Sequence, residues 1–191
     1  MAGMRLWSAN LSFRYTQRGF GLIEQIIVLV VLAVVATIAV PSFRHLLNGH
    51  ELRLAQTDYI AALQHARNLA VNEQVRVIFC PSRNALTCNG SSSWNDGWLI
   101  GRADPQNKGQ LVGPPLYVGG RYRSSLIISG STAKKYIWFD PDGSAAGTNL
   151  SLLFCVRGEP QRVLKVVIAP KGRVRGDVVD ANDTTPCATS E

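Results

Sequence analysis

The chain has 191 residues, a formal net charge of +7, 46% hydrophobic residues and 17% charged ones. That length fits one well-packed domain of ordinary size and is short for two. The apolar surplus is concentrated near the N-terminus, which leaves the remainder with an ordinary soluble composition, and the modest positive charge suits an anionic partner without identifying one.

Residues 1–19 carry three arginines, Arg5, Arg14 and Arg18, and no acidic residue. An apolar run follows, RGFGLIEQIIVLVVLAVVATIAV, in which residues 26–40 are apolar apart from Thr37. Roughly twenty helical residues cross a bilayer core, so residues 20–41 are read as a membrane-spanning segment. The basic block before it places the N-terminus in the cytoplasm and sends the rest of the chain outward. An ordinary signal peptide has a shorter core closed by a small-x-small cleavage site; here the core is long and continues into a helix. One carboxylate, Glu24, lies near the start of the run. A lone carboxylate at that depth is costly without a partner, so it is read as functional.

The junction RGFGLIEQ resembles the class III leader junction of type IV pilins and pseudopilins. The resemblance implies that a membrane prepilin peptidase cuts after Gly19, releasing a leader of residues 1–19, and that the new N-terminal Phe20 is methylated. The usual family sequence is GFTLIE. Gly21 stands where threonine is common, while Leu22, Ile23 and Glu24 match. The resemblance gives Glu24 an assembly role: in a filament core its carboxylate pairs with a neighbouring subunit's amino terminus, offsetting the desolvation of both charges. It also implies other major and minor pilins as partners, the inner membrane as the site before assembly, and a pilus at the cell surface afterwards.

Pro41 ends the apolar run, and a kink is expected there. Residues 42–72 read as a resumed, amphipathic half of the helix: Phe43, Leu46, Leu47, Leu54, Tyr59, Ala62, Leu63, Ala66, Leu69 and Ala70 recur at threes and fours. Gly49 weakens its middle. His45, His50 and His65 fall in this segment, far along the chain from the cysteines, and are read as solvent or seam residues.

After Asn72 the period shortens. Strands are expected at residues 75–80, around Trp98, at 116–118, around Ile127, at 136–139, in a run ending at Cys155, and at 162–169. GRVRG is that last strand's continuation or its hairpin return. The chain therefore reads as α+β: a long N-terminal helix packed on an antiparallel β-sheet head, residues 73–191, which is also the pilin architecture. Four cysteines lie beyond the apolar segment and allow three pairings. The expected pairing is Cys80 with Cys88, closing a short loop, and Cys155 with Cys187, stapling the tail, as suits an exported domain. No CxxC spacing, catalytic motif or nucleotide loop occurs, so no metal, cofactor or enzymatic activity is expected. DPDGSA, with Asp140, Asp142 and Gly143, lacks the spacing of a calcium loop and reads as a turn; FDPDG resembles a feature of the FimT and GspH branch of the pilins.

In APKGRVRGD, an unbroken strand would align Lys171, Arg173 and Arg175 in one row, with Lys165 in the same parity and Val174 turned to the core. Pro170 and Gly172 permit a bend instead. Guanidinium groups in such a row bind phosphates whatever the base sequence; the bland alternative is a charged, soluble edge strand. GRVR resembles the C-terminal GRxR motif of FimT-like minor pilins, which implies capture of double-stranded DNA during natural transformation through Lys165, Lys171, Gly172, Arg173 and Arg175. Other basic residues, Arg121, Arg123, Lys134, Lys135, Arg157 and Arg162, are candidates to extend the patch, and Asp177, Asp180 and Asp183 to weaken it. The other expectations are a structural minor pilin that primes or caps assembly, and a GspH-like pseudopilin of type II secretion.

Overall fold

A computed structural model describes residues 21–91, 93–107, 109–130, 134–145, 147 and 150–179. One helix and eight strands follow one another: α1 (Leu22–Glu73), β1 (Val77–Pro81), β2 (Trp98–Arg102), β3 (Tyr117–Gly119), β4 (Leu126–Gly130), β5 (Ile137–Phe139), β6 (Leu150–Val156), β7 (Glu159–Ile168) and β8 (Val174–Val178). The chain divides into two compact units, Met1–Phe43 and Arg44–Glu191.

In the first unit, α1 opens on Gly21, whose carbonyl accepts hydrogen bonds from Glu24 N at 3.0 Å and Gln25 N at 3.3 Å. Glycine is tolerated at such a helix start, so the missing threonine does not prevent the first turn. The apolar residues from Leu22 to Val40 are exposed, as expected of a helix whose neighbours are lipid or other subunits. Thr37 Oγ1 donates to Val34 O at 2.7 Å, which satisfies its hydroxyl within the helix. Pro41 lies inside α1. Among the described residues, α1 is the one helix long and apolar enough to cross a membrane.

In the second unit, α1 buries Leu52, Ala55, Tyr59, Ala62, Leu63, Ala66 and Ala70, a spacing of threes and fours that forms one face. The four alanines on that face keep the helix close to the strands. Leu46, Leu47 and Leu54, expected on the buried face, are exposed, as is Phe43. Leu52 and Ala55 take their place. The segment has apolar residues on more than one side, so periodicity alone did not select the face.

The strands form two antiparallel sheets of four, in the orders β3-β2-β1-β5 and β4-β6-β7-β8. They are joined near Trp94: Ser93 bridges Ser129, and Trp94 N donates to Ile128 O at 3.1 Å. Between the helix and the sheets lies an aromatic core of Tyr59, Phe79, Trp94, Trp98 and Phe154. Tyr59 meets Phe79 and Phe154 edge-on at 5.7 and 5.2 Å, and Phe79 stacks on Trp94 at 5.6 Å. Tyr59 donates its hydroxyl to Trp94 O at 2.6 Å, so its polar tip is satisfied within the core. On the sheets' outer faces, Ile78, Cys80 and Leu99 form one cluster, and Ile127, Leu153, Cys155 and Val163 form another. Cys80 and Cys88 are bonded, with Cα atoms 5.6 Å apart. Cys155 is also disulfide-bonded; its expected partner Cys187 lies outside the described residues.

Candidate functional site

The expected basic row bends. After β7, Gly172 N donates to Ala169 O at 2.8 Å and Ala169 N to Arg173 O at 2.9 Å, which closes a tight turn, and the chain returns as β8. GRVR is thus a hairpin return, with only Val174 and Arg175 in the strand. Register pairs Lys165 with Asp177 and Val167 with Arg175, so these four share one face. Val166, Ile168 and Val174 occupy the other and belong to the helix-side core. Val174 therefore anchors the strand as expected. Lys171 and Arg173 belong to the turn, not to a strand row with Arg175.

Gly172 is buried with φ +75°. A Cβ there would strike the carbonyl oxygen of Gly143 and come within 3.0 Å of Arg67 Nε. Glycine alone combines that backbone conformation with that approach, so Gly172 has a packing role. Its neighbour is the other motif read from the sequence. Within FDPDG, Gly143 N donates to Asp140 O at 2.8 Å and Asp140 N to Ser144 O at 2.8 Å, forming a turn. Asp142 Oδ1 accepts from Ser144 N at 2.8 Å, which holds the Asp142 carboxyl below the usual carboxylate range. Ala145 N then donates to Pro170 O at 2.8 Å, and Arg67 Nε donates to Gly143 O at 3.0 Å. The two motifs and the helix thereby form one contact.

Arg173 and Arg175 are exposed, but their surroundings differ. Arg175 Nη2 lies 3.9 Å from Asp177 Oδ2 at a half-exposed pair, an interaction worth about 0–1 kcal/mol. Arg173 lines a cleft with Gln64, Arg67, Asn68, Gly172 and Val174. Sequence reasoning missed Arg67, Gln64 and Asn68 as neighbours of GRVR; they precede it by about a hundred residues, and no local pattern links them. Other basic candidates have local duties. Arg123 pairs with Glu51 at 3.7 Å, Lys134 donates to Gly147 O, and Arg162 reaches Gly49, where a Cβ would lie 2.8 Å from its Nη1.

At the other end of the chain, Glu24 is exposed in the first turn of α1. Gly19 and Phe20 lie outside the described residues, as do Asp180 and Asp183. His65 packs edge-on against Tyr117 at 4.3 Å, a seam position as expected.

A family model described as Type II transport protein GspH matches residues 55–172. The chain belongs to that family. A second match, the prokaryotic N-terminal methylation motif, covers residues 14–40 and marks the chain as a substrate of the prepilin peptidase and methyltransferase. The fold is similar to the type IV minor pilin FimU of Pseudomonas aeruginosa in two crystal forms. One has a TM-score of 0.56 at 20% identity, covering 70% of this chain and 92% of that one; the other has 0.54 at 19%, covering 69% and 94%. The minor pseudopilin EpsH of the Vibrio cholerae Type 2 Secretion System gives 0.49 at 10%, covering 67% and 97%. No curated protein sequence matches this chain. As a GspH-family minor pilin or pseudopilin, the protein is a non-catalytic structural subunit. The GspH match ends at Gly172, the packing residue, and leaves Arg173 and Arg175 beyond it.

Proposed function

We propose that the protein is a structural minor subunit that helps prime or cap a pilus or secretion pseudopilus, and that Glu24 sets its register in the filament. The observation that carries this reading is an exposed apolar helix with a single exposed carboxylate in its first turn. Lipid can cover the apolar surface, but it leaves the carboxylate without a counter-charge. A neighbouring subunit supplies both an apolar face and, after cleavage behind Gly19, the amino group of methylated Phe20. In this reading residues 1–19 are the leader, residues 20–41 and 42–72 the two halves of the helix, and residues 73–191 the exported head. The test is fractionation of cells expressing Glu24→Ala. The variant should be cleaved and methylated by mass spectrometry, yet remain in the inner membrane and be absent from sheared filaments. Wild-type abundance in the filament fraction would refute the role given to Glu24.

A second reading is favoured by the exposed cations on the β7–β8 hairpin, Lys171, Arg173 and Arg175. In it the head grips double-stranded DNA through phosphates during transformation, with Lys165 on the Arg175 face and Gly172 shaping the turn. Two or three phosphate contacts give a slope of about −2 to −3 in log affinity against log salt. The measurement is a DNA titration of the full chain in uncharged detergent at several salt concentrations. Arg173→Ala with Arg175→Ala should abolish binding for unrelated duplexes alike, and unchanged binding in the folded double variant would exclude the reading.

A further inference from the structure

We propose that the cleft between α1 and the β7–β8 turn binds a phosphate-type oxyanion, held between the guanidinium groups of Arg67 and Arg173. The cleft measures about 280 Å³ and is lined by Gln64, Arg67, Asn68, Gly172, Arg173 and Val174. A water molecule occupies about 30 Å³ in the liquid, so a tetrahedral anion fits together with part of its hydration shell.

The charge on its walls is unbalanced. Arg67 is half-buried and fixed by the bond from its Nε to Gly143 O, which leaves its terminal nitrogens as donors. Among the described residues, neither Arg67 nor Arg173 has a carboxylate partner. Of the two loop carboxylates, Asp140 pairs with Arg76 at 2.6 Å, and Asp142 Oδ1 accepts from Ser144 N at 2.8 Å without an ion-pair contact to Arg67. Arg67 is partly withdrawn from water without a counter-ion, and an anion shared with the exposed Arg173 offsets that cost. Arginine's planar fork suits paired hydrogen bonds to tetrahedral oxyanions, and the carboxamides of Gln64 and Asn68 add neutral donors. Gly172 lets the turn that carries Arg173 pack directly on Gly143, where a Cβ would strike the carbonyl oxygen and press on Arg67 Nε. The site does not depend on the DNA reading: free phosphate and a nucleic-acid phosphodiester present the same chemistry.

The test is NMR of the full chain, labelled with ¹⁵N-arginine in uncharged detergent, at constant ionic strength. Inorganic phosphate should shift the Arg67 Nε–H signal saturably, where chloride does not. Arg173→Gln, which leaves the Arg67–Gly143 bond in place, should weaken that saturation about tenfold or more, the effect of losing one charge-assisted hydrogen bond. A short duplex that competes with phosphate identifies nucleic acid as the source, and one that does not identifies free phosphate. A phosphate response equal to that of chloride, or one unaltered in Arg173→Gln, would overturn the proposal whatever the DNA result.

Discussion

Replacing Gly172 by alanine adds one methyl group, and the structure sets its cost. The backbone there has φ +75°, a conformation that costs a non-glycine residue of this kind about 1 kcal/mol or more. The new Cβ would meet the Gly143 carbonyl, a backbone atom in a turn held by its own hydrogen bonds, and would press on Arg67 Nε at 3.0 Å. Forcing a carbon into a packed contact of this sort costs about 1–3 kcal/mol. A combined loss of about 3 kcal/mol lowers the melting temperature of a domain this size by roughly 6–12 °C. Thermal unfolding of the full chain in uncharged detergent can be followed by tryptophan fluorescence, since Trp94 and Trp98 lie in the core. Lys171→Ala, one residue earlier and exposed, is the control and should change stability by less than about 0.5 kcal/mol. A Gly172→Ala protein melting within about 1 °C of the parent would refute the packing role.

Two further outcomes are expected. Burial raises the Tyr59 phenol well above its ordinary value, with further contributions from Tyr122 and Asp58; Tyr122 is raised by burial and by the bond it donates to Asp58. Because the folded state favours the protonated phenols, their contribution is complete below the unfolded tyrosine value of about 10 and is lost as pH rises beyond it. Melting temperature should fall above pH 10, and less steeply in Tyr59→Phe; parallel curves would contradict the assignment. For the bond between Cys80 and Cys88, at a sequence separation of 8, loop-closure entropy gives about 2.5 kcal/mol. Cys80→Ala with Cys88→Ala should lower stability by about that amount in denaturant titrations, and an unchanged midpoint would show that the loop's own hydrogen bonds suffice.

Much of the architecture was legible because it is written in local pattern. The apolar run, its basic flank and Glu24 specify the anchor through composition alone, and the β-branched runs locate the strands to within a few residues. What local pattern omits is pairing. The division into two sheets depends on which strand lies beside which, and Ile127 and Ile78 look alike in sequence although they belong to different outer clusters. The helix face was misjudged at Leu46, Leu47 and Leu54 because the segment has leucines on more than one side, and only the folded chain shows that Leu52, Ala55, Tyr59 and Leu63 make the seam. Arg67 was invisible as a site residue because only the folded chain brings it to Gly172 and Arg173.

The bend at Pro170 and Gly172 changes how GRVR should be interpreted. As a straight strand, its charges would act as one row. As a turn followed by β8, the motif separates into parts with different physical duties. Gly172 and Val174 face inward and fasten the hairpin to the FDPDG turn and the core. Arg173 opens on the cleft beside Arg67, while Arg175 lies across the sheet from Val167 and near Asp177. Loss of ligand binding after a glycine substitution therefore says nothing about ligand contact, because the wall of the cleft moves with it. Loss after an arginine substitution does, provided that melting is unchanged. Arg173→Ala and Arg175→Ala made singly should also differ: Asp177 partly offsets the Arg175 charge, so an anionic ligand should lose more with Arg173. Equal losses from the two would instead favour a ligand long enough to span both faces of the hairpin.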